Sequence, residues 1–176
     1  MVVLGSRTPA PVVPFYVSAF GPIPLYEGGA YAPSALDAKV VASWNAIHVL
    51  FRPNPPRGSL RYVRSLDEGL SFSPGTLIYD GSPLSFHMAT DFVGTLAVGW
   101  FPDWGNDVYF RLSYDNGQTF SQPQNLSNSR RVIGLVNPVF DVQGVLHVIW
   151  GEGTDRPSES RMMYAKSNLD ISSRIR

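Results

Sequence analysis

The sequence predicts an all-β fold built from repeated antiparallel units, and three observations support this prediction. A nine-residue pattern occurs twice, at residues 65–73 and 113–121, with Ser, Asp, Gly, Phe and Ser at matching places. Three β-rich runs begin at Ile47, Leu96 and Leu146, so that their starts are 49 and 50 residues apart. The chain also contains 16 Gly and 15 Pro, and 12% of its residues are aromatic, which is typical of turn-rich β domains.

Each copy of the pattern is predicted to form the turn between the third and fourth strands of its repeat. The Asp side chain can accept hydrogen bonds from turn amides, and Gly readily takes the positive φ that other residues resist. The Phe opens the next strand, so its ring can fold under the turn into the sheet. We therefore assign a structural role to the matching residues, which are Ser65, Asp67, Gly69, Phe72, Ser113, Asp115, Gly117 and Phe120.

A repeat of about fifty residues has the length of a four-stranded propeller blade. Asn45, Gly94 and Gly144 each stand two residues before a β-rich run, where they predict a tight hairpin with positive φ between the first two strands. Fourth strands are expected around residues 76–79 and 123–126.

The repeated pattern resembles the Asp-box, or BNR, motif S-x-D-x-G-x-T-W, with Phe in place of Trp. In sialidase-like β-propellers this motif lies on the turn between the two outer strands of a blade. The resemblance covers residues 36–176 and implies an all-β fold of about three four-stranded antiparallel blades. The third blade is expected to be incomplete, because the pattern begins again at Ser167 but lacks its Asp and Gly.

We expect one propeller-type domain, with an N-terminal strand and loop over residues 1–34 and blades over 35–82, 83–131 and 132–176. Propellers have about four to eight blades, so three cannot close a ring. We therefore expect a homo-oligomer, a dimer that closes a six-bladed ring, with residues 12–20 able to supply a missing outer strand. The alternatives are a fragment of a longer protein and an open three-blade wedge.

The composition disfavours several classes of partner and site. The net charge is zero and 16% of residues are charged, so nucleic acid is not expected as a partner. No stretch is long and apolar enough to span a membrane, and no signal peptide is visible. The sequence leaves the compartment open, and the family resemblance allows a secreted or periplasmic location. The absence of cysteine excludes thiolate metal sites, and the sequence indicates neither a metal site nor a cofactor.

The strand order assigns a ligand-binding role to one rim of the propeller. The loops between strands two and three and between blades lie opposite the repeated turns, and sialidase-like propellers hold their ligands on that face. These loops concentrate Arg, carboxylates and an indole, which suits a carbohydrate or another anionic ligand. The candidate binding residues are Arg52, Arg57, Asp103, Trp104, Arg130, Arg131, Glu152 and Arg156, together with His87 on an innermost strand. The other histidines, His48 and His147, occupy equivalent positions and are expected to pack against neighbouring blades.

Two functions are weighed at this point, and a third possibility is a divergent protein with no small-molecule ligand at all. The first is a non-catalytic module that binds a glycan or a protein through the loop rim. The second is a sialidase-like glycoside hydrolase, either a fragment or an oligomer. For a sialidase, the resemblance implies three arginines that bind the substrate carboxylate, a Tyr nucleophile assisted by Glu, and an Asp that acts as the acid. The Arg-Ile-Pro motif of that family is absent here, and Arg52 followed by Pro53 is only a partial match, so the sequence favours the binding module.

Overall fold

The computed structural model describes residues 37–53, 58–103, 107–129, 132–153 and 160–167. These residues form eleven β-strands and contain no helix, which confirms the predicted all-β class. The strands are β1 (Asp37–Ala42), β2 (Ile47–Arg52), β3 (Leu60–Ser65), β4 (Thr76–Tyr79), β5 (Ser85–Thr90), β6 (Leu96–Phe101), β7 (Tyr109–Ser113), β8 (Gln124–Asn125), β9 (Val132–Phe140), β10 (Leu146–Glu152) and β11 (Arg161–Lys166). The expected N-terminal strand lies outside the described residues.

The strands form three antiparallel sheets in which sequence neighbours are also neighbours in space. The first sheet has the order β1-β2-β3-β4, the second β5-β6-β7-β8 and the third β11-β10-β9. Each of the three β-rich runs is the second strand of its sheet, and the fourth strands of the first two sheets lie where the repeat predicts them. Such short hairpin connections are what the roughly fifty-residue repeat requires.

The hairpins between first and second strands follow two designs. In the second and third sheets the connection has five residues, and it closes on the side chain of its first residue. The amide of Thr95 donates to Asp91 Oδ1 at 2.7 Å, and the amide of Val145 donates to Asp141 Oδ1 at 2.9 Å. Gly94 and Gly144 take φ of +90° and +73° there, as expected.

The first sheet differs from this expectation. Its connection is one residue shorter and closes through Ser43 N donating to Ala46 O at 3.0 Å. Asn45 does not adopt a positive φ. The five-residue connections need one residue with positive φ to close, which Gly94 and Gly144 supply. The four-residue connection of the first sheet closes without one.

The sheets stack face to face, so both faces of the middle sheet are buried. All six residues of β6 are buried. One apolar cluster joins the first and second sheets and contains Leu50, Leu60, Tyr62, Ile78, Phe86, Met88, Leu96, Val98 and Trp100. A second cluster joins the second and third sheets and contains Ala97, Phe101, Val108, Leu112, Val136, Leu146, Val148 and Trp150. Each large side chain of this kind stabilises the stack by about 1.5–3 kcal/mol on burial.

The two repeated turns share a set of internal hydrogen bonds. In the first turn, Ser65 Oγ donates to Asp67 Oδ1 at 2.7 Å and accepts the Gly69 amide at 2.8 Å. The Asp67 carboxylate then accepts the amide and the hydroxyl of Ser71, at 2.9 and 2.6 Å. Those bonds from Ser71 are the main reason why the pKa of Asp67 is lowered to about 2.

The second turn repeats these bonds with Thr in place of the second Ser. Ser113 Oγ donates to Asp115 Oδ1 at 2.8 Å and accepts the Gly117 amide at 2.9 Å. The amide and hydroxyl of Thr119 donate to the Asp115 carboxylate at 2.8 and 2.6 Å. Burial acts to raise the pKa of Asp115, but the hydrogen bonds from Thr119, Ser113 and Gln118 together outweigh it and the pKa is lowered.

The second turn also joins the second sheet to the first. Arg64 of β3 donates from Nη1 to the carbonyl of Asn116 at 2.8 Å. The Tyr62 ring lies against Phe120, with ring centroids 5.0 Å apart, and its hydroxyl occupies the space that a Cβ on Gly117 would need. The turn is therefore docked on the first sheet by polar contacts at its tip and apolar contacts beneath it.

Buried His48 extends this docking through a directional chain of hydrogen bonds. Ser43 Oγ donates to Asn116 Oδ1 at 3.1 Å, so it accepts from His48 Nε2, also at 3.1 Å. The other ring nitrogen, Nδ1, is then free to accept from the Tyr62 hydroxyl at 2.7 Å. Burial first, and the Arg64 charge second, lower the pKa of His48 to about 4, so the ring is neutral in this network.

The two turn glycines provide a matched test of this docking. Gly69→Ala is expected to cost about 1–2 kcal/mol, because φ is +89° and an added Cβ would lie 3.5 Å from its closest neighbour, Ile47 Cδ1. Gly117→Ala incurs the same backbone penalty at φ +78° and must also displace Tyr62, at roughly 1–3 kcal/mol more. Urea unfolding of both variants measures the difference, and equal losses would contradict the docking.

His48 is expected to make folding stability depend on pH. An unfolded histidine binds a proton below about pH 6.5, whereas folded His48 stays neutral down to about pH 4. The contribution to the unfolding free energy is therefore fully present above pH 6.5. It is lost as the pH falls from 6.5 to about 4, by on the order of 3 kcal/mol. Urea unfolding across this range should show the decline in the wild-type chain and a much flatter profile in His48→Gln; parallel profiles would refute the assignment.

Candidate functional site

The strands of each sheet have a turn-bearing end and an opposite end, and the opposite end forms the candidate rim. The hairpin of the first sheet and the second repeated turn meet, because Asn116 Nδ2 donates to Asn45 Oδ1 at 2.9 Å. Both features therefore lie at one end of the stack. The other end carries the connections from second to third strands and those between sheets, as the sequence predicts.

Arg52, the last residue of β2, ties the first sheet to the connection that leads into the second. Its Nη1 donates to Ser82 Oγ at 3.2 Å and to the carbonyl of Pro83 at 2.8 Å. Its Nε is buried and has no hydrogen-bond partner within the described part of the chain. The guanidinium is thus held at the rim by one edge, through the nitrogen that faces residues 82–83.

Asp103 reaches the same connection from the second sheet. The Tyr79 hydroxyl donates to Asp103 Oδ1 at 3.3 Å. Burial is the main cause that raises the pKa of Tyr79, followed by the negative charge of Asp103, so this phenol keeps its proton. Arg52 and Asp103 are therefore brought to one short segment, residues 79–83, although they are far apart in sequence.

A stack of three aromatic rings lies beneath this segment. Tyr79 stacks on Trp100 with centroids 5.7 Å apart and planes at 27°, and Trp100 stacks on Tyr109 at 6.0 Å and 23°. Trp100 is buried, and its indole nitrogen has no hydrogen-bond partner among the described residues. The stack fixes the ring of Tyr79 and with it the position of the hydroxyl against Asp103.

A second rim carboxylate, Asp107, was not singled out from the sequence. Its Oδ1 accepts the Ser127 hydroxyl and the Ser129 amide, both at 2.9 Å. Ser127 in turn accepts the amide of Val108 at 3.0 Å. Asp107 therefore holds the chain just before residues 130–131, and the sequence signal for it was only its place in the loop between β6 and β7.

The structure places the remaining described candidates elsewhere. Glu152, at the end of β10 in the third sheet, is 5% exposed and accepts the indole N–H of Trp150 at 3.0 Å. His87 lies on β5, half-buried; burial and then the Lys39 cation lower its pKa. Lys39 lies on β1 and forms an ion pair with Asp37 at 2.8 Å. Because β1 and β5 are in contact, His87 lies where the innermost strands of the first and second sheets meet.

Several predicted candidates fall outside the described residues. They are Arg57, Trp104, Arg130, Arg131 and Arg156. The described rim is therefore built from Arg52, Tyr79, Asp103 and Asp107, with Glu152 in the neighbouring sheet.

An apolar groove of about 450 Å³ lies away from the rim, between the outer strands of the second and third sheets. Its walls include Phe110, Leu112, Leu126 and Val148, with Lys166 at its edge. The walls are mostly hydrocarbon, whereas a sugar needs several converging hydrogen-bonding groups, so the rim is the better candidate for a polar ligand.

Two solved structures with the same architecture identify the fold. A Hadza microbial sialidase, Hz136, superposes with a TM-score of 0.57 at 15% sequence identity, covering 74% of this chain and 34% of its own. An ulvan lyase, a polysaccharide lyase bound to a GlcA(1-4)Rha3S unit, superposes with a TM-score of 0.51 at 15% identity, covering 76% of this chain and 41% of its own. The fold is that of a sialidase-like β-propeller.

The similarity to these two proteins concerns the fold, and it covers only part of their length. The chain spans 34% of the sialidase chain and 41% of the lyase chain. No protein-family model matches it, and no curated protein matches it. Within the described residues no three His, Cys, Asp or Glu side chains group so as to hold a metal ion, and no helix there could cross a bilayer.

Proposed function

We propose that this chain is a non-catalytic Asp-box β-propeller module that binds an acidic glycan through its rim. The observation that carries the proposal is the convergence of the Arg52 guanidinium and the Tyr79–Asp103 pair on residues 79–83, above the aromatic stack. Guanidinium pairs with carboxylate or sulfate oxygens, and a fixed phenol and carboxylate can hydrogen-bond sugar hydroxyls.

The fold neighbours support this ligand class. Both are carbohydrate-active by name, and the lyase was solved with a unit that contains a uronic acid. A protein ligand on the same rim is the alternative, which a glycan screen distinguishes. A secreted or periplasmic location, where such glycans occur, is part of the same proposal.

The Asp-box assignment belongs to this proposal as well. It is supported by two turns that share two hydrogen bonds among their repeated residues, from the Ser hydroxyl to the Asp carboxylate and from the Gly amide to the Ser oxygen. In both, the serine after the Phe also closes the loop: the amides of Arg64 and Leu112 donate to the hydroxyls of Ser73 and Ser121 at 3.1 and 3.0 Å. The residues that recur in the sequence are thus those that the turn geometry needs.

We also propose that two copies associate to complete a six-bladed ring, because the outer face of the third sheet is exposed at Val139, Ile149, Met162 and Tyr164. Blades over residues 35–82, 83–131 and 132–176 remain the proposed division of the chain.

One specific observation favours the competing function, a sialidase-like hydrolase. A Tyr hydroxyl that donates to a carboxylate is the pairing that a Tyr nucleophile requires, and Tyr79 and Asp103 provide it. The environment acts against this role, since burial and the neighbouring charge raise the pKa of Tyr79 and disfavour the phenolate. Binding without turnover is therefore the better-supported function.

The binding proposal is tested by a screen of sialylated, uronic-acid and sulfated oligosaccharides followed by calorimetry. Arg52→Ala is expected to weaken binding of the best ligand about tenfold or more, because a charge-assisted contact is lost. Arg52→Lys should give an intermediate loss. Arg64→Ala is the matched control: its guanidinium lies at the turn-bearing end, so it should lower the melting temperature and leave glycan affinity unchanged. The proposal would be contradicted if no acidic glycan of the screen bound, or if Arg52→Ala left the affinity unchanged.

The two functions are separated by turnover. We expect no release of methylumbelliferone from a sialoside or a uronide at any pH between about 4 and 8. If turnover is found, Tyr79→Phe and Asp103→Asn should each abolish it while leaving the fold intact by circular dichroism. Turnover with that dependence would replace the binding module by the hydrolase.

A further inference from the structure

The contact between the second turn and the first sheet is a template for an equivalent contact on the third sheet. On the first sheet, His48, Tyr62 and Arg64 receive the second turn, as described above. We call these three residues the receiving triad. The His48 and Tyr62 rings are stacked with centroids 6.0 Å apart and planes at 19°.

The third sheet carries the same triad in the same strand positions. His147 stands at the second residue of β10, as His48 does in β2, and Tyr164 stands three residues before Ser167, as Tyr62 precedes Ser65. The His147 Nδ1 and the Tyr164 hydroxyl are 2.9 Å apart, and their rings stack at 6.0 Å and 26°. Lys166 takes the place of Arg64, so the cation is retained.

The middle sheet lacks the triad, and this difference shows what the triad is for. The equivalent residues are Ala97, Phe110 and Leu112, which pack in or against the apolar cluster with the third sheet. The third repeat has no Asp-x-Gly turn after Ser167 that could dock there. In the first two sheets, the triad is therefore present where an intact turn is received and absent where the following repeat has none.

The triad of the third sheet is open to solvent. Tyr164 is 58% exposed, whereas its counterpart Tyr62 is 1% exposed under the docked turn. Val139, Ile149 and Met162 lie on the same face and are exposed as well. An exposed apolar face edged by the polar groups of the triad is typical of an interaction surface.

The first turn is the intact turn that is exposed. Leu66, Asp67 and Glu68 are exposed, and Gly69 keeps the positive φ and the hydrogen bonds of Gly117. Glu68 stands where the second turn has Asn116, so this turn carries two carboxylates at its tip. It therefore has the backbone shape that the triad receives and a charge opposite to that of Lys166.

We propose that the first turn of a second copy of this chain docks on His147, Tyr164 and Lys166. Gly69 then lies beneath the Tyr164 hydroxyl, and Lys166 donates to the carbonyls of the turn as Arg64 does. The Glu68 carboxylate adds attraction to Lys166. Asp141 also lies on the receiving side, where Ser43 contacts Asn116 in the template. Its oxygens are occupied by His147 Nε2 at 3.1 Å and by the amides of Gln143 and Val145, both at 2.9 Å.

The contact closes symmetrically. Two copies related by a two-fold axis form it twice, since each contributes one turn and one triad, and an isologous pair of this kind forms a closed ring and not a filament. The inference rests on the proposed self-association, and it adds the surface by which that association occurs.

A charge exchange tests the surface in the full chain. Glu68→Lys places like charges at both contacts, and so does Lys166→Glu, so each variant alone should raise the dimer dissociation constant by at least about tenfold at low salt. An equimolar mixture of the two variants restores opposite charges at both contacts. Sedimentation velocity should therefore show two-chain particles for the wild type and for the mixture, and single chains for each variant alone.

A size change provides a second measurement that does not depend on charge. Tyr164→Ala removes the ring that covers the turn and should weaken the dimer about a hundredfold, because it is lost at two contacts. Tyr114→Ala is the matched control: this tyrosine is 56% exposed but lies on the docked second turn, so the dimer should persist.

The outcomes separate this inference from the proposed function. Single chains in the wild type at every concentration would overturn both the self-association and the surface. A dimer that persists in Lys166→Glu, Glu68→Lys and Tyr164→Ala would leave the self-association standing and overturn the surface. Glycan binding by the rim is measured independently of either result.

Discussion

The structure depends on one close approach, in which Gly117 lies under the hydroxyl of Tyr62. A residue with a side chain would occupy the space that this hydroxyl fills, and a residue without a positive φ could not close the turn. With glycine in place, the Tyr62 ring seals the apolar cluster at one end, and His48 and Ser43 carry its hydrogen bonding across to Asn116. The two sheets are therefore joined by a buried polar chain at the edge of an apolar interface.

This arrangement fixes the turn-bearing end of the stack, whereas the rim at the opposite end is formed by loops. The turns are held internally by their own Ser and Asp residues before they contact anything else. At the rim, by contrast, the side chains that could meet a ligand also hold the connections: Arg52 grips residues 82–83, and Tyr79 is bound to Asp103. Loops placed on a rigid scaffold are the usual location of binding residues.

The repeated strands and turns can be predicted from the sequence, whereas the contacts at the rim cannot, for a physical reason. Strands and turns depend on neighbours close in sequence, so the spacing of Ser65, Asp67 and Gly69 predicts the bonds that form. Asn45 shows the limit even here, because a connection shorter by one residue removes the need for a positive φ. The Tyr79–Asp103 pair joins residues 24 positions apart in different sheets, and no local pattern specifies it.

Both junctions between sheets contain an apolar cluster, but within the described residues only the first adds a docked turn, and this difference bears on assembly. The second and third sheets meet through apolar residues packed so closely that a Cβ on Gly99 would lie 2.7 Å from Val136. A face of that kind would aggregate if it were exposed, so it is suited to neighbours on one chain. A face edged by His147, Tyr164 and Lys166 keeps hydrogen-bonding groups that water can satisfy until a turn replaces it. The docked-turn contact is therefore the kind that can form and dissolve between separate chains at modest cost.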